Sequence, residues 1–332
     1  MADQLSRPPV RPEPEGRAGR IHARRTRAGR SQVAPRPVPS VEDMRILVTG
    51  GKGQLGTALQ LALSEHQIRA PGHAALDVTS ATAVREAIET FRAEIVIHAA
   101  AWTDTAAAER DPAAALAVNG EGSGNVARAC AATGVPIAYV SSNEVFDGEK
   151  GAPYDEDDAT QAINEYGRSK LAGEKAVEEA GGDFYIVRTS WLYGPGRLSF
   201  PEKIIDRARA GGALRGVTDE IASPTWTGDL AVALLALVST GRFGLYHLAG
   251  EGSCSRKEWA EEVLRLAGID APVEAVLQAD FGLPYRKPPH STLTNRRAAE
   301  LGITLRPWRE ALADHMSTPQ IADLIEAPAA HR

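Results

Sequence analysis

The chain has 332 residues, 43% hydrophobic and 24% charged, which are ordinary values for a globular protein able to bury a full core. Its net charge of −6 is uneven: residues 1–43 hold nine arginines against five acidic residues, about +4, leaving about −10 for the remainder. The acidic body argues against nucleic acid as the main partner, no apolar run suits a membrane span, and two cysteines make no disulfide framework, so a cytoplasmic setting is favoured.

Residues 1–43 differ in composition from everything after them. They are rich in Arg, Pro and Gly and nearly devoid of large apolar side chains, which is typical of a disordered segment. Met44 directly precedes the first predicted strand, so the favoured interpretation is an extension translated from a misassigned start. A tail and a weak targeting or nucleic-acid-binding patch are the alternatives.

Strand and helix patterns alternate from Met44 to residue 194. Predicted strands lie at 45–50, 66–70, 94–101, 136–142 and 183–190, and predicted helices at 54–63, 81–91, 111–134 and 165–180. This alternation predicts an α/β fold, a doubly wound, Rossmann-type and mostly parallel sheet covered on both faces. Residues 44–194 are therefore predicted to form a dinucleotide-binding core.

The alternation loosens after residue 194. Helices are predicted at 200–211, 227–240, 255–268, 295–303 and 307–316, with a short strand at 244–250. Ser255 and Glu258 form the capping-box pattern that opens the third of these helices. Residues 195–320 are expected to form mainly a smaller substrate-binding lobe at the carboxyl edge of the sheet, with a tail at 321–332.

The first strand runs into a glycine-rich turn. Gly50, Gly53 and Gly56 have GxxGxxG spacing between a predicted strand and a predicted helix, which is the context that this motif requires. Glycine permits a tight turn and close approach to a pyrophosphate, whose charge the helix N-terminus stabilises. The sequence therefore predicts a dinucleotide site, to which Gln54 and Leu55 also contribute.

The end of the second strand is expected to meet the adenosine ribose. An acidic residue there would bind both ribose hydroxyls and repel a 2′-phosphate, but none occurs before Asp77. Arg69 can face a 2′-phosphate, which makes NADPH a candidate beside NADH, and a surface arginine is the equal alternative. Asp77 and Val78 are expected to border the adenine.

Three residues suggest acid–base chemistry. Tyr166 and Lys170 lie four apart on one helical face, where an ammonium would favour the phenolate and lower the pKa of the tyrosine. The same lysine can hold the nicotinamide ribose. Ser142, at the end of the fourth strand, can hydrogen-bond a substrate carbonyl beside Tyr166. With the glycine turn, this set predicts hydride transfer to or from a carbonyl carbon.

These motifs resemble the extended short-chain dehydrogenase/reductase family. Finer segments are similar to its dTDP-4-dehydrorhamnose reductase branch, and the similarity runs through residues 44–316: GGKGQLG, HAAAWTD, VSSNEVFDG, YGRSKLAGE, VRTSWLYG, TDEIASPTWTGDLA, GLYHLAG and RPWREAL.

The resemblance implies NAD(P)H-dependent reduction of the C4 ketone of a dTDP-linked 4-keto-6-deoxy sugar, dTDP-4-dehydrorhamnose or a close relative. Tyr166 would protonate the new alkoxide, Lys170 would tune Tyr166, and Ser142 would orient the ketone. The implied cofactor contacts include Ala99, Ala100 and Ala101, and the implied substrate contacts are Thr103, Thr105, Ser142, Asn143, Glu144 and Trp191. For Trp191, a core aromatic is the alternative.

Several residues differ from those usual in this branch, and the differences affect the identity of the sugar substrate more than the reduction itself. Asn143 and Glu144 stand where Asp and Tyr are usual, Ala106 replaces an acid, Ser199 stands where Asn is usual, and Glu220 replaces Gln. They leave the keto sugar and its stereochemistry open.

Two other functions share these motifs. One is a nucleotide-sugar epimerase or dehydratase with the same Ser-Tyr-Lys set, and the other is a non-catalytic subunit resembling the regulatory subunit of methionine adenosyltransferase. Some relatives use Mg²⁺, but the sequence offers no ligand cluster, so no metal residue is predicted. A homodimer is the assembly left open.

Overall fold

The computed structural model describes residues 44–326. The predictions of a disordered segment at 1–43 and of the end of the tail, 327–332, lie outside the described residues. Within the described part, no helix is both long enough and apolar enough to span a bilayer.

The predicted strands and helices occur in the predicted order, and further short strands and helices, which the sequence analysis did not predict, lie between and after them. The strands are β1 (Arg45–Thr49), β2 (Gln67–Arg69), β3 (Ile95–His98), β4 (Ile137–Ser142), β5 (Phe184–Thr189), β6 (Leu192–Tyr193), β7 (Leu214–Val217), β8 (Ile221–Ala222), β9 (Thr225–Trp226), β10 (Gly244–His247), β11 (Cys254–Ser255) and β12 (Val273–Val276). The α-helices are α1 (Gln54–Ala62), α2 (Ala81–Phe91), α3 (Thr105–Arg110), α4 (Pro112–Leu116), α5 (Ser123–Thr133), α6 (Glu165–Glu179), α7 (Phe200–Arg209), α8 (Thr227–Ser239), α9 (Arg256–Ala267), α10 (Arg296–Ala299), α11 (Trp308–Met316) and α12 (Pro319–Glu326).

A six-stranded sheet with the order β10-β5-β4-β3-β1-β2 forms the centre, and every neighbouring pair in it is parallel. Side chains alternate between its faces, so Ile46 and Val48 pack with α1 and α8 while Leu47 packs with α2 and α5. Burial on both faces explains the near-continuous apolar strands, and the predicted doubly wound fold is confirmed.

The second half of the chain contributes to two parts of the fold: the central sheet and a separate aromatic core. Strand β10 joins the central sheet beside β5, and α8 packs on α1. The other elements build a separate aromatic core around Trp259, Trp308 and Tyr193. Helix α12 starts just before the predicted tail, and Ile321 is buried in this core. The assignment of residues 195–320 mainly to a substrate lobe stays a prediction.

The long helix predicted at 111–134 is interrupted. Residues 112–133 form α4, a π-helical segment at Ala117–Gly122, and then α5. A π-helical turn inserts one residue and so changes which side chains face inward. Here it turns Asn119 into the interior, where this residue is fully buried. Periodicity alone gave no sign of this insertion.

Candidate active site

The glycine turn between β1 and α1 is closed by contacts that only glycine permits. Gly50 has a φ of +75°, and a Cβ on Gly56 would lie 2.4 Å from the Gly50 carbonyl oxygen. At Gly53 a Cβ would meet only that same oxygen, at 3.2 Å. The turn is therefore closely packed at Gly56 and leaves space at Gly53. The backbone N–H groups that begin α1 border a cavity there.

This cavity, about 700 Å³ in volume, lies at the carboxyl edge of the sheet and is of the size that small-molecule sites have. It brings together all but one of the residues singled out from the sequence. Those lining it are Gly50, Gly53, Gln54, Leu55, Gly56, Asp77, Val78, Ala99, Ala100, Ala101, Thr103, Thr105, Ser142, Asn143, Glu144, Tyr166, Lys170 and Trp191. Arg69 is the exception.

Arg69 is exposed at the end of β2 and does not border the cavity. Instead, Lys52 in the glycine turn and His73, four residues beyond Arg69, line the cavity. The stem of Lys52 lies along Gly72, where a Cβ would approach the Lys52 Cδ to 2.8 Å. The cation that borders the cavity near the glycine turn is therefore Lys52 and not Arg69, and the strand-end rule overlooked it.

Ser142 ends β4 and begins a short 3-10 turn. Its hydroxyl oxygen accepts a hydrogen bond from the Glu144 backbone N–H at 3.1 Å, and the residue is 6% exposed. The side chain of Asn143 donates to the Ser291 hydroxyl at 2.7 Å, which ties this turn to the second half of the chain. The predicted carbonyl-orienting hydroxyl is thus held at the cavity wall.

Tyr166 lies in the first turn of α6, which Asn164 caps by accepting from the Gly167 N–H at 2.8 Å. The Asn164 amide also donates to the Glu144 carboxylate at 2.8 Å. Burial and the Glu144 charge raise the pKa of Tyr166 above its usual value, while hydrogen bonding to Ser142 and the charge of Arg197 oppose the rise. At neutral pH the phenol therefore carries its proton.

Lys170 is almost fully buried, at 2% exposure, one turn after Tyr166. Its Nζ donates to the Val140 carbonyl at 2.8 Å and lies 4.2 Å from the centre of the Tyr139 ring. Burial lowers the pKa of Lys170 to about 7, against the opposing charge of Glu174. The expected lowering of the Tyr166 pKa by Lys170 is not seen, because the ammonium faces Val140 and Tyr139 and burial of the phenol dominates.

Trp191 lines the cavity in a strained conformation, with a φ of +38°. The Arg256 guanidinium lies 3.5 Å from the centre of its ring and donates to Glu220 from Nε and Nη2, at 3.2 and 3.0 Å. Lys287 Nζ is 3.8 Å from the same carboxylate. Burial opposes ionisation of Glu220, but the two cations outweigh it and lower the pKa of the carboxyl. The cavity lining that includes Trp191 therefore also carries two cations, Arg256 and Lys287, which share the Glu220 carboxylate.

Comparisons with known proteins agree with this geometry. The profile of the family described as RmlD substrate binding domain matches residues 44–320. The dTDP-4-dehydrorhamnose reductase of Mycolicibacterium smegmatis is 39% identical over 277 residues, which cover 81% of this chain and 84% of the relative. The chain belongs to this family.

Two further relatives show its range. The dTDP-4-keto-6-deoxy-D-glucose reductase of Streptomyces niveus is 35% identical over 81% of this chain and 95% of its own length. The crystal structure of the dTDP-4-dehydrorhamnose reductase from Bacillus anthracis in complex with NADP has a TM-score of 0.80 and 34% identity, covering 82% of this chain and 99% of that one. The predicted membership of the extended short-chain dehydrogenase/reductases is confirmed.

Several cavity residues escaped the sequence analysis. Arg197, in the loop after β6, reaches across to Thr103 Oγ1 at 3.1 Å and to Gln54 Oε1 at 3.4 Å. Gly196 brings it there, because its φ of +99° and its approach to Thr57 exclude a side chain. Arg256 begins helix α9, and Lys287 lies in the loop before α10. Only tertiary structure brings these cations together, so no local motif indicated them. No group of His, Cys, Asp and Glu side chains within residues 44–326 is arranged to hold a metal ion.

The sequence analysis also missed Asn119, a buried residue that supports the cavity wall through its hydrogen bonds. Its amide nitrogen donates to the Trp102 carbonyl at 3.0 Å and to the Ser169 hydroxyl at 2.9 Å, and its oxygen accepts from the Trp102 N–H at 2.8 Å. Ser169 in turn donates to the Tyr166 carbonyl at 2.7 Å. Asn119 thus ties the loop after β3 to the helix that carries Tyr166.

We expect Asn119→Ala to lower the free energy of unfolding by about 1–3 kcal/mol, because it removes the three hydrogen bonds that the Asn119 amide makes to Trp102 and Ser169. Urea denaturation followed by circular dichroism measures this. The control is Glu121→Ala, exposed on the same π-helical segment, which we expect to change stability by less than about 0.5 kcal/mol. Equal stability of the two variants would contradict a clamping role for Asn119.

Proposed function

We propose that the chain is an NADPH-dependent reductase that converts the C4 ketone of a dTDP-linked 4-keto-6-deoxy sugar to an alcohol, with dTDP-4-dehydrorhamnose or a close relative as substrate. The observation that carries this proposal is a single cavity lined by the glycine turn, by Ser142, Tyr166 and Lys170, and by Trp191. Relatives that are named as reductases of dTDP-keto sugars support the reaction. These relatives are named for different sugars, so the sugar itself stays open within this class.

The residues at the glycine turn fit a dinucleotide. The open front of Gly53 leaves room for a diphosphate beside the N-terminus of α1, whose partial positive charge suits an anion. Lys52 and His73 lie where the adenosine ribose would end, and Asp77 and Val78 would border the adenine. When bound, the reduced nicotinamide supplies a hydride to the carbonyl carbon.

The remaining steps belong to the chain itself. The Ser142 hydroxyl donates to the ketone oxygen and holds it beside Tyr166. As negative charge develops on that oxygen, the Tyr166 phenol donates its proton and becomes a phenolate. The Lys170 ammonium, one turn after Tyr166 on α6, is our candidate to hold the ribose hydroxyls. One proton and one hydride thus convert the ketone to an alcohol, and the proton returns to Tyr166 from solvent.

The other end of the cavity suits the rest of a nucleotide sugar. The surplus positive charge of Arg256 and Lys287 over Glu220 favours a diphosphate, and Trp191, with Thr103 and Thr105 on the facing loop, would contact the sugar. Asn143 and Glu144 lie next to the reacting carbonyl and are our candidates for selecting the sugar. Homodimeric assembly and a cytoplasmic location are further parts of this proposal.

The decisive experiment follows absorbance at 340 nm with NADPH and dTDP-4-dehydro-L-rhamnose. We expect one NADPH to be consumed for each ketone reduced. Turnover of the sugar without net NADPH consumption would instead indicate an epimerase or dehydratase that recycles its cofactor. NADP⁺ binding without reduction of any dTDP-4-keto sugar would contradict the proposal and favour a non-catalytic dinucleotide-binding subunit.

We expect Tyr166→Phe to lower kcat by about 10²–10⁴ because the proton donor is removed. The Kd for NADP⁺, measured by calorimetry, should change by less than about threefold, since the ring remains. Tyr285→Phe, a tyrosine outside the cavity lining, serves as the control. A Tyr166→Phe enzyme with near-normal kcat would exclude this residue as the donor.

We expect Lys52→Gln to lower the ratio of kcat/KM for NADPH to that for NADH by about tenfold, equivalent to about 1.4 kcal/mol, because a cation facing the 2′-phosphate is lost. Arg69→Gln is the matched control and should leave the ratio within about twofold. A larger effect of Arg69→Gln would show that the exposed arginine, and not Lys52, recognises the phosphate.

A further inference from the structure

A buried carboxylate lies beneath the catalytic residues. Glu174 follows Lys170 by one turn of α6 and is 4% exposed. It accepts hydrogen bonds from Arg188 Nε at 2.9 Å, from Arg188 Nη2 at 2.7 Å and from the Ser141 hydroxyl at 2.5 Å. Because Arg188 is on β5 and Ser141 is on β4 next to Ser142, Glu174 joins three elements at the catalytic edge of the sheet.

Lys170 faces few groups that favour its charge. From β4 it meets the Tyr139 ring and the Val140 carbonyl. From β3 it meets His98, whose pKa is lowered to about 3, first by burial and then by the charge of Lys170 itself, so this imidazole is neutral. Glu174 is the anion that acts on Lys170, and it opposes the lowering of the lysine pKa by burial. Across Glu174 lies the buried cation Arg188.

We propose that Glu174 is a positioning residue of the reaction: held by Arg188 and Ser141 one turn from Lys170 on α6, it favours the charged form of the Lys170 side chain and holds the end of β4 against α6. This inference rests on the proposed function, because it assigns the charge of Lys170 to binding of the nicotinamide ribose. An uncharged lysine at this place would bind the ribose hydroxyls more weakly.

The test is an NMR titration of the full-length protein labelled with ¹³C-lysine, with the Lys170 signal identified by its loss in Lys170→Met. We expect a midpoint near 7 in the original chain, in line with the lowered pKa of Lys170. In Glu174→Gln the midpoint should fall by one pH unit or more, a tenfold loss of proton affinity. The alkaline limb of kcat/KM should move to lower pH by the same amount, so activity lost at pH 7.5 is recovered on acidification.

Two further variants separate this role from folding. Glu174→Gln leaves Arg188 as an unpaired buried cation and is expected to destabilise the protein, whereas the double variant Glu174→Gln/Arg188→Met removes both charges and should regain stability. We expect the double variant to keep the low Lys170 midpoint. Glu178→Gln, exposed one turn further along α6, should leave the midpoint unchanged.

A midpoint restored in the double variant would overturn the proposal, since Glu174 would then serve only to neutralise Arg188. An unchanged midpoint in Glu174→Gln would overturn it as well. The titration needs no substrate, so failure of the reductase assay with a shifted midpoint would count against the proposed function and not against the coupling of Glu174 to Lys170.

Discussion

Burial of the Lys170 ammonium is the electrostatic constraint on which the catalytic edge of the sheet depends. A lone cation in an apolar interior loses its proton, so each group around it either favours the charge or adds no competing one. Val140 supplies a carbonyl, Tyr139 supplies the face of its ring, and His98 is neutral between Thr49 and Ser123. The Glu174 carboxylate completes this environment, and its fixed position requires Arg188 in turn.

The close packing of α6 follows from the same requirement. A Cβ at Gly173 would lie 2.3 Å from the Tyr139 hydroxyl, and one at Gly167 would lie 2.1 Å from the Glu144 carbonyl. Glycine at both places lets the helix sit directly on β4 and the turn after it. Since Lys170 is between them, the ammonium reaches the carbonyl of Val140, and Tyr166 reaches the cavity beside Ser142.

The sequence was sufficient for those parts of the molecule that local rules determine. Apolar strands alternating with helices predicted the parallel sheet, and the carboxyl ends of parallel strands necessarily meet at one edge, which brought Gly50 and Ser142 together. The spacing of Tyr166 and Lys170 on one helix required no tertiary information. The family resemblance added the prediction that the loop after β3 and Trp191 lie at the site, and both border the cavity.

What the sequence missed depends on tertiary structure. Asn119 points inward only because a π-helical segment shifts the register, and Arg197 reaches Thr103 only because Gly196 packs on α1. Arg69 was chosen because it ends β2, but the chain continues along the glycine turn and presents His73 to the cavity instead. The sign of the Tyr166 pKa shift was missed as well, since residue spacing says nothing about how deeply the phenol is buried.

The reaction and the choice of sugar depend on different parts of the cavity, so the reaction type is defined more closely than the sugar. In the proposed reaction Ser142 orients the carbonyl and Tyr166 protonates it, and β4 and α6 determine the positions of both. The part of the cavity around Trp191 is built from loops and the start of α9, where Glu220 accepts hydrogen bonds from Arg256, and Glu144 adds an acid next to Asn143 at the cavity wall. A glutamine at position 220 would leave Arg256 and Lys287 with no carboxylate between them. The departures at 144 and 220 therefore change the charge at and near the cavity wall, while Tyr166 keeps its place in the first turn of α6.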